Sequence, residues 1–216
     1  MLTVLRDRRG QTLLEVVAAV AILTIGAVSL TALAVQSLSL ARLVRERVTA
    51  LNLAREGVEW ARSVRDSNWI RNDATVPWND GLANGSDTSV VLGWNEATRS
   101  FTTNWTPGLS DLGASSNFTR LYRTASGAYT TTAVGTTPSL FHRIVLTNPV
   151  CWDLAQSTLR EQAASEVIAS DGQPCPAGLT AVGIDAHAYV RYTDGRTYTL
   201  QLEEHLYNWR EGSVEP

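Results

Sequence analysis

Residues 11–40 read QTLLEVVAAVAILTIGAVSLTALAVQSLSL, and Glu15 is the only charged residue among them. The stretch has no proline and is rich in Leu, Val, Ile and Ala. An α-helix rises about 1.5 Å per residue, so roughly 20 such residues cross the hydrocarbon core of a bilayer. The sequence therefore predicts a membrane-spanning helix with one carboxylate near its start, and a charge at membrane depth is usually functional.

The residues before this run predict its orientation. Arg6, Arg8 and Arg9 are opposed only by Asp7, and arginines that flank a first span hold that end in the cytoplasm. We therefore expect a single-pass protein of the cytoplasmic membrane, with a cytoplasmic N-terminus and the body outside. A cleaved secretory signal fits less well, because the apolar run is long and no small-x-small site clearly ends it. A plain signal anchor is the stronger alternative, but it leaves Glu15 unexplained.

Residues 9–16, RGQTLLEV, resemble the class III signal of type IV pilins and type II secretion pseudopilins. The resemblance implies that a prepilin peptidase cuts between Gly10 and Gln11 and methylates the new N-terminus. The family usually has phenylalanine at the first mature position, where this sequence has Gln11. The resemblance implies a pilin-like structural subunit that assembles with other pilin or pseudopilin subunits into a filament, extracellular or periplasmic.

Glu15 has a physical use in such a polymer. An unpaired carboxylate in lipid costs several kcal/mol or takes up a proton. The free α-amino group of Gln11 on a neighbouring subunit would neutralise it, and one buried charge can then set the register between packed helices. The alternative is a Glu15 that reaches the membrane surface or pairs within its own chain. We predict that Glu15 is the assembly residue.

The helical period continues beyond the apolar run. An apolar stripe recurs at spacings of three and four residues through Leu40, Val44, Val48, Leu51, Ala54, Val58, Ala61 and Val64. Charged residues fill the other faces, and no proline precedes Pro77. We expect one helix from Thr12 to about Asp66, with a transmembrane first half and an amphipathic second half. Asp66, Ser67 and Asn68 favour turns and predict its end.

The C-terminal third has the alternating pattern of β-strands. Residues 182–192 and 197–202 alternate on either side of Asp194-Gly195, which predicts a hairpin. With a strand over 140–147 this gives an antiparallel sheet of at least three strands, one face of which would bury the apolar stripe of the helix. The predicted fold class is α+β, a long N-terminal helix packed on an antiparallel β-sheet head, which is also the pilin-like fold that the resemblance implies.

These patterns divide the chain into four segments. They are a leader over 1–10, a transmembrane assembly helix over 11–40, an amphipathic continuation over 41–68, and a β-rich head over 69–216. The head would include a disulfide-bounded region over 151–175.

Cys151 and Cys175 are the only cysteines, and they flank a long stretch between two predicted strands. Disulfides persist outside the cytoplasm, and a bridge closing about 25 residues would contribute ~3 kcal/mol in the chain-entropy model. Such a bridge would resemble the disulfide-bounded region of many pilins. A metal site is the alternative, but no Cys-x-x-Cys spacing or nearby pair of histidines supports it. We predict a bridge and no metal.

Composition and motifs restrict the function classes. All 18 basic residues are arginine, which excludes lysine-based isopeptide cross-links, and the formal net charge of −3 argues against broad binding to nucleic-acid backbones. The sequence has no nucleophile elbow, Walker motif or dinucleotide fingerprint. His142, His187 and His205 each fit surface or core positions better than catalytic ones. We therefore expect neither enzymatic activity nor a cofactor.

Two functions from different classes stay open. The first is a structural subunit, and the long head together with Gln11 favours a minor one. The second is a membrane-anchored or filament-tip binding module that recognises a surface, a polysaccharide, DNA or a protein. An exposed aromatic patch among its tryptophans would favour the second, the candidates being Trp78, Trp94, Trp105 and Trp152. The oxygen-rich residues 79–87 could ligate calcium, although a solvated loop fits them better because EF-hand spacing is missing.

Overall fold

The computed structural model describes residues 9–71, 73, 75–82, 89–106, 112, 117–160, 175 and 178–208. Three predicted features lie wholly or partly outside these residues: the leader up to residue 8, the part of the possible calcium loop over 83–87, and most of the interior of the 151–175 region. The chain divides into two compact units, Met1–Val48 and Thr49–Pro216.

The described residues form one α-helix, one short 3-10 helix and eight strands. The helix α1 is Arg9–Arg71, and the 3-10 helix is Asn117–Thr119. The strands are β1 (Ser89–Asn95), β2 (Ser100–Thr106), β3 (Arg120–Arg123), β4 (Tyr129–Thr130), β5 (Thr137–Asp153), β6 (Thr158–Arg160), β7 (Leu179–Asp194) and β8 (Arg196–Tyr207). All strand pairs are antiparallel and join in one sheet, so the predicted α+β class is confirmed.

The helix runs past its predicted end. We expected the exit at Asp66 to Asn68, but α1 continues to Arg71. Asn68 is buried, and its side-chain amide donates hydrogen bonds to the carbonyl oxygens of Trp78 at 3.1 Å and Asp80 at 2.8 Å. Because those bonds reach a distant loop, Asn68 does not compete for its own backbone, which is how such residues usually end a helix.

The centre of the sheet is built from its three longest strands. β5 pairs with β7 from Phe141–Tyr192 to Asp153–Leu179, and β7 pairs with β8 from Gly183–Tyr207 to Asp194–Arg196. The turn between β7 and β8 is the predicted Asp-Gly hairpin, and Gly195 has a φ of 68° there, a left-handed conformation that glycine adopts without strain. The other edge of β5 pairs in turn with β3, β1 and β6.

The core lies between the sheet and the second part of α1. The helix buries one face there, formed by Ala50, Leu53, Ala54, Val58, Trp60 and Ala61. Inward-facing residues of β1, β5, β7 and β8 complete the cluster. Gly57 marks the closest approach, because a Cβ atom built on it would lie 2.7 Å from Val145 Cγ2 and 3.1 Å from Ala188 Cβ. Of the predicted apolar stripe, Ala54, Val58 and Ala61 are therefore buried against the sheet, whereas Val44 and Val48 are exposed.

The centre of the sheet is buried on both faces, where we expected one. On the face that points away from the helix, Ile144, Leu146 and Tyr189 form a second small cluster with Leu112. Arg191 Nη1 donates to the carbonyl oxygen of Leu112 at 3.0 Å and holds that residue over the sheet. This second layer explains why β5 and β7 read as nearly continuous buried runs rather than as strictly alternating ones.

Arg143 is fully buried in the helix–sheet core, with 0% relative exposure. Its guanidinium donates to the carbonyl oxygens of Leu53 at 3.2 Å and Leu92 at 2.7 Å, and it lies 3.0 Å from Glu56 Oε2. Burial lowers the pKa of Arg143 from its usual value, and Glu56 opposes that effect. These contacts tie β5 to α1 and to β1 through one charged side chain.

The head contains the predicted disulfide. Cys151, in β5, is bonded to Cys175, and their Cα atoms are 5.7 Å apart. The bridge spans 24 positions of sequence and links the end of β5 to the segment that leads into β7.

Candidate functional site

The first unit presents an apolar helix surface. Leu13, Leu23 and Leu38 leave 72%, 71% and 72% of their surface exposed. By length and composition α1 can cross a membrane, since an 18-residue window reaches a mean hydropathy of 2.4 and none of that window is buried. An exposed apolar surface of this extent needs lipid or other apolar helices around it.

The hydroxyl groups in this stretch are compatible with lipid. Thr24, Ser29, Thr31 and Ser39 each donate to a carbonyl oxygen of the preceding turn at 2.8 Å. A polar group without a hydrogen bond is costly in a bilayer, and these groups are satisfied within their own helix. After Glu15, the next charged residue is Arg42, which pairs with Glu46 at 3.2 Å. The uncharged stretch is thus bounded by charges at both ends.

The predicted processing and assembly residues lie at the start of this helix. Gly10 and Gln11 belong to α1, and the side chain of Gln11 is outside the described part of the chain. Glu15 follows Gln11 by one helical turn, and its side chain is exposed. Among the side chains that the structure describes, none pairs with Glu15. Its partner, if it has one, must come from the undescribed residues, the surroundings or another molecule.

The four tryptophans of the possible aromatic patch are all partly buried. Trp78 and Trp105 pack against the core, and the Trp105 ring lies 6.2 Å from that of Trp60. The Trp94 ring contacts Phe101 edge-on, with centroids 5.3 Å apart. These rings are used mainly for packing.

An open cleft of about 260 Å³ lies beside Trp94. Seven of the nine residues that line it have polar side chains: Asn95, Glu96, Thr102, Thr124, Thr130, Thr132 and Thr136. Hydrogen bonds from Ser126 and Thr124 hold the pKa of the Glu96 carboxyl group below its usual value. The cleft therefore presents hydroxyl groups and an ionised carboxylate to solvent.

A cluster of titratable side chains on the β7–β8 hairpin was not predicted, because each histidine was interpreted separately. His187 and His205 lie together with Asp185 and Glu203. The signal was present in the predicted hairpin, because folding the strands about Gly195 places Asp185 opposite His205 and His187 opposite Glu203. Residues opposite one another in antiparallel strands point to the same face.

His142 lies apart from that cluster, on β5. Its Nδ1 atom is 3.1 Å from the hydroxyl oxygen of Thr119. Burial, followed by the nearby charges of Arg120 and Arg191, lowers the pKa of His142 below its usual value. The ring is therefore neutral at physiological pH and serves as a hydrogen-bonding residue of the sheet.

Comparison with known proteins identifies the N-terminal segment. Residues 5–31 match the family model described as the prokaryotic N-terminal methylation motif. No curated protein and no solved structure matches the chain significantly. The matched range contains Gly10, Gln11 and Glu15 and ends within the exposed apolar helix. The N-terminal segment of the chain is therefore similar to this methylation motif, which agrees with the resemblance to the class III signal of type IV pilins and pseudopilins.

Proposed function

We propose that this protein is a minor structural subunit of a type IV pilus or of a type II secretion pseudopilus. The observation that carries the proposal is the N-terminal methylation motif, which coincides with an exposed apolar helix. The motif favours a structural subunit over an enzyme. The long β-rich head and the unusual first mature residue, Gln11, support a minor rather than a major subunit.

The precursor is processed at the membrane. Prepilin peptidase cleaves between Gly10 and Gln11 and methylates the new amino group, as the resemblance to pilins implies. The arginines of the leader keep that end in the cytoplasm, so the head lies outside. The Cys151–Cys175 disulfide supports this orientation, because such bonds persist in oxidising compartments.

The same helix mediates assembly into the filament. The apolar surface of α1 leaves the bilayer only when the helices of other subunits cover it, and Glu15 pairs with the freed amino group of Gln11 on a neighbour. The partners are therefore the peptidase, the membrane and other pilin or pseudopilin subunits. The acidic net charge speaks against nucleic acid as a general partner.

A binding role for the head is the second candidate. The observation that favours it is the cleft beside Trp94, whose threonine hydroxyls and Glu96 carboxylate suit a polar ligand such as a polysaccharide. The partial burial of all four candidate tryptophans weighs against a broad aromatic docking patch. This role is compatible with the first, because a subunit at a filament tip can carry a binding head.

Intact mass and N-terminal sequencing test the proposal. The protein would be isolated both from sheared surface fibres and from membranes of the same cells. We expect fibres to contain a chain that begins at methylated Gln11, and a Gly10→Glu variant to keep its leader and stay in the membrane. A wild-type chain that begins at Met1 and is confined to membranes would instead identify a signal-anchored protein.

A further inference from the structure

The outward face of the β7–β8 hairpin carries a group of metal-ligating side chains. Asp185 lies directly opposite His205, and His187 lies directly opposite Glu203. Successive residues of a strand point to opposite faces, so these four share the face that is turned away from α1. Asp185, Glu203 and His205 each offer one ligand atom, and the three atoms lie within 4.8 Å of one another.

The distances suit a small divalent ion. His205 Nε2 is 3.0 Å from Glu203 Oε1 and 3.4 Å from Asp185 Oδ1. Four-coordinate zinc with bonds of about 2.0–2.2 Å places its ligand atoms about 3.3–3.6 Å apart. The ligand atoms of Asp185 and Glu203 lie within 4.8 Å of each other, and the partly exposed side chains of Glu203 and His205 can move toward the ideal spacing when an ion binds.

Asp185 gives an independent reason to expect a ligand here. The residue is 3% exposed, and its Oδ2 atom lies 2.5 Å from His187 Nε2. Its Oδ1 atom is buried and has no hydrogen-bond donor among the described residues, although His205 lies 3.4 Å away on the open side. A buried carboxylate oxygen without a donor is unfavourable, and a cation at this point would satisfy it.

His187 holds Asp185 in position. It is 1% exposed, and its Nδ1 atom lies 3.0 Å from Gln201 Nε2. With the Gln201 amide donating to Nδ1, the proton of His187 lies on Nε2. The Nε2–H group then donates a hydrogen bond to Asp185 Oδ2, and the other oxygen, Oδ1, is directed at the site. Metal-binding side chains are commonly oriented by such outer hydrogen bonds.

We propose that Asp185, Glu203 and His205 bind a first-row divalent transition-metal ion of the zinc type. One imidazole and two carboxylates form a donor set for such an ion, whereas calcium prefers six to eight oxygen ligands. His205 and Glu203 are partly exposed, so the ion has an entry path and a water can take a fourth position. The bound ion would clip β8 to β7 toward the end remote from the Gly195 turn. This inference does not depend on the role in a filament.

The test is a zinc titration of the full-length protein in detergent, without a polyhistidine tag and in competition with a chromophoric chelator. We expect one Zn²⁺ per chain, and affinity at least about tenfold lower in His205→Gln and in Glu203→Gln, since even outer-shell changes cost 10–100-fold. His142→Gln is the matched control, because it removes an imidazole from the same sheet but not from the cluster, and it should bind as the wild type does. Glu203→Gln alters a partly exposed side chain, so the test can still be made if His205→Gln fails to fold.

Three results would overturn the proposal. They are wild-type protein without saturable Zn²⁺ binding, ligand variants that bind Zn²⁺ as tightly as His142→Gln, and displacement of Zn²⁺ by an equal concentration of Ca²⁺. A second readout separates binding from folding. At the same Zn²⁺ concentration, the thermal midpoint of the wild type and of His142→Gln should rise by equal amounts, and that of Glu203→Gln should rise by less.

Discussion

Two stretches of α1 carry similar apolar residues and meet different surroundings. Between residues 13 and 48 the leucine and valine side chains are largely exposed, whereas from residue 50 onward one face of the helix is buried against the sheet. Helix propensity explains why both are helical but not why only one is covered. The second stretch finds its partner within its own head, and the first needs an apolar partner that the described residues do not supply.

The charged residues of the two stretches also differ in whether they have partners within the chain. Glu15 has no partner among the described side chains. In the second stretch, Glu56 pairs with buried Arg143, and Arg62 lies 2.5 Å from Glu204 of β8. A charge in apolar surroundings is tolerated when an opposite charge and hydrogen bonds accompany it. Glu56 and Arg62 therefore have partners within the head, whereas the partner that we propose for Glu15 lies on another subunit.

The largest expected effect comes from removing the charge in the membrane stretch. We expect Glu15→Ala to insert in the membrane as the wild type does and to reach sheared fibres at no more than about a tenth of the wild-type level. Breaking a buried ion pair costs about 3–5 kcal/mol, and each 1.4 kcal/mol is about tenfold in an equilibrium. Immunoblots of fibre and membrane fractions measure the ratio.

Gln36→Ala is the control for this experiment, because it changes an exposed polar residue of the same stretch. It should leave the fibre-to-membrane ratio unchanged. If Glu15→Ala enters fibres as efficiently as the wild type, Glu15 does not need a partner, and the contrast between the two stretches loses its functional meaning.

A smaller effect is expected from the paired charge in the head. Arg143→Met keeps most of the side-chain volume but removes two hydrogen bonds and leaves Glu56 without its partner. We expect the free energy of unfolding to fall by about 3 kcal/mol, the lower end of the range for broken buried pairs, because Glu56 is partly exposed. Urea unfolding of the full-length protein, followed by tryptophan fluorescence, measures the change.

The matched control is Arg196→Met, which changes an exposed arginine at the start of β8. It should change the free energy of unfolding by less than about 0.5 kcal/mol. Equal stability of the two variants would mean that the buried pair is dispensable, as some buried ion pairs are when an apolar side chain replaces them.

Local periodicity was sufficient to predict the main elements. The 3.6-residue period gave the helix, and the alternation around Asp194-Gly195 gave the hairpin, because both patterns arise from neighbours along the chain. The signal that contains Gly10 and Glu15 was also predicted from the sequence, and the family match covers it. Cleavage, methylation and the assembly role of Glu15 remain predictions, since each needs a second molecule.

Features set by distant contacts could not be predicted in this way. Arg143 would be expected to face solvent, because a charged residue is seldom fully buried. The carbonyl groups of Leu53 and Leu92 and the carboxylate of Glu56 make its buried position favourable. The predicted end of the helix was wrong for a similar reason, since the Asn68 side chain donates hydrogen bonds to a loop ten or more residues away. The β7–β8 cluster was predictable in principle, once the hairpin register was applied to its polar residues.

The smallest expected effect comes from replacing one glycine in each stretch of the helix with alanine. An alanine at Gly57 would place its Cβ 2.7 Å from Val145 Cγ2, and the β-branched valine has little freedom to turn away. Overpacking costs about 1–3 kcal/mol against about 1 kcal/mol gained in helix propensity, so we expect Gly57→Ala to lower the free energy of unfolding by about 1 kcal/mol. Gly26 has no atom within 4 Å of a built Cβ, so Gly26→Ala should leave unfolding of the head unchanged. A Gly57→Ala variant that is more stable than the wild type would mean that the sheet shifts to make room for the added Cβ atom. The contact between the sheet and the second stretch would then not be tightly packed at this position.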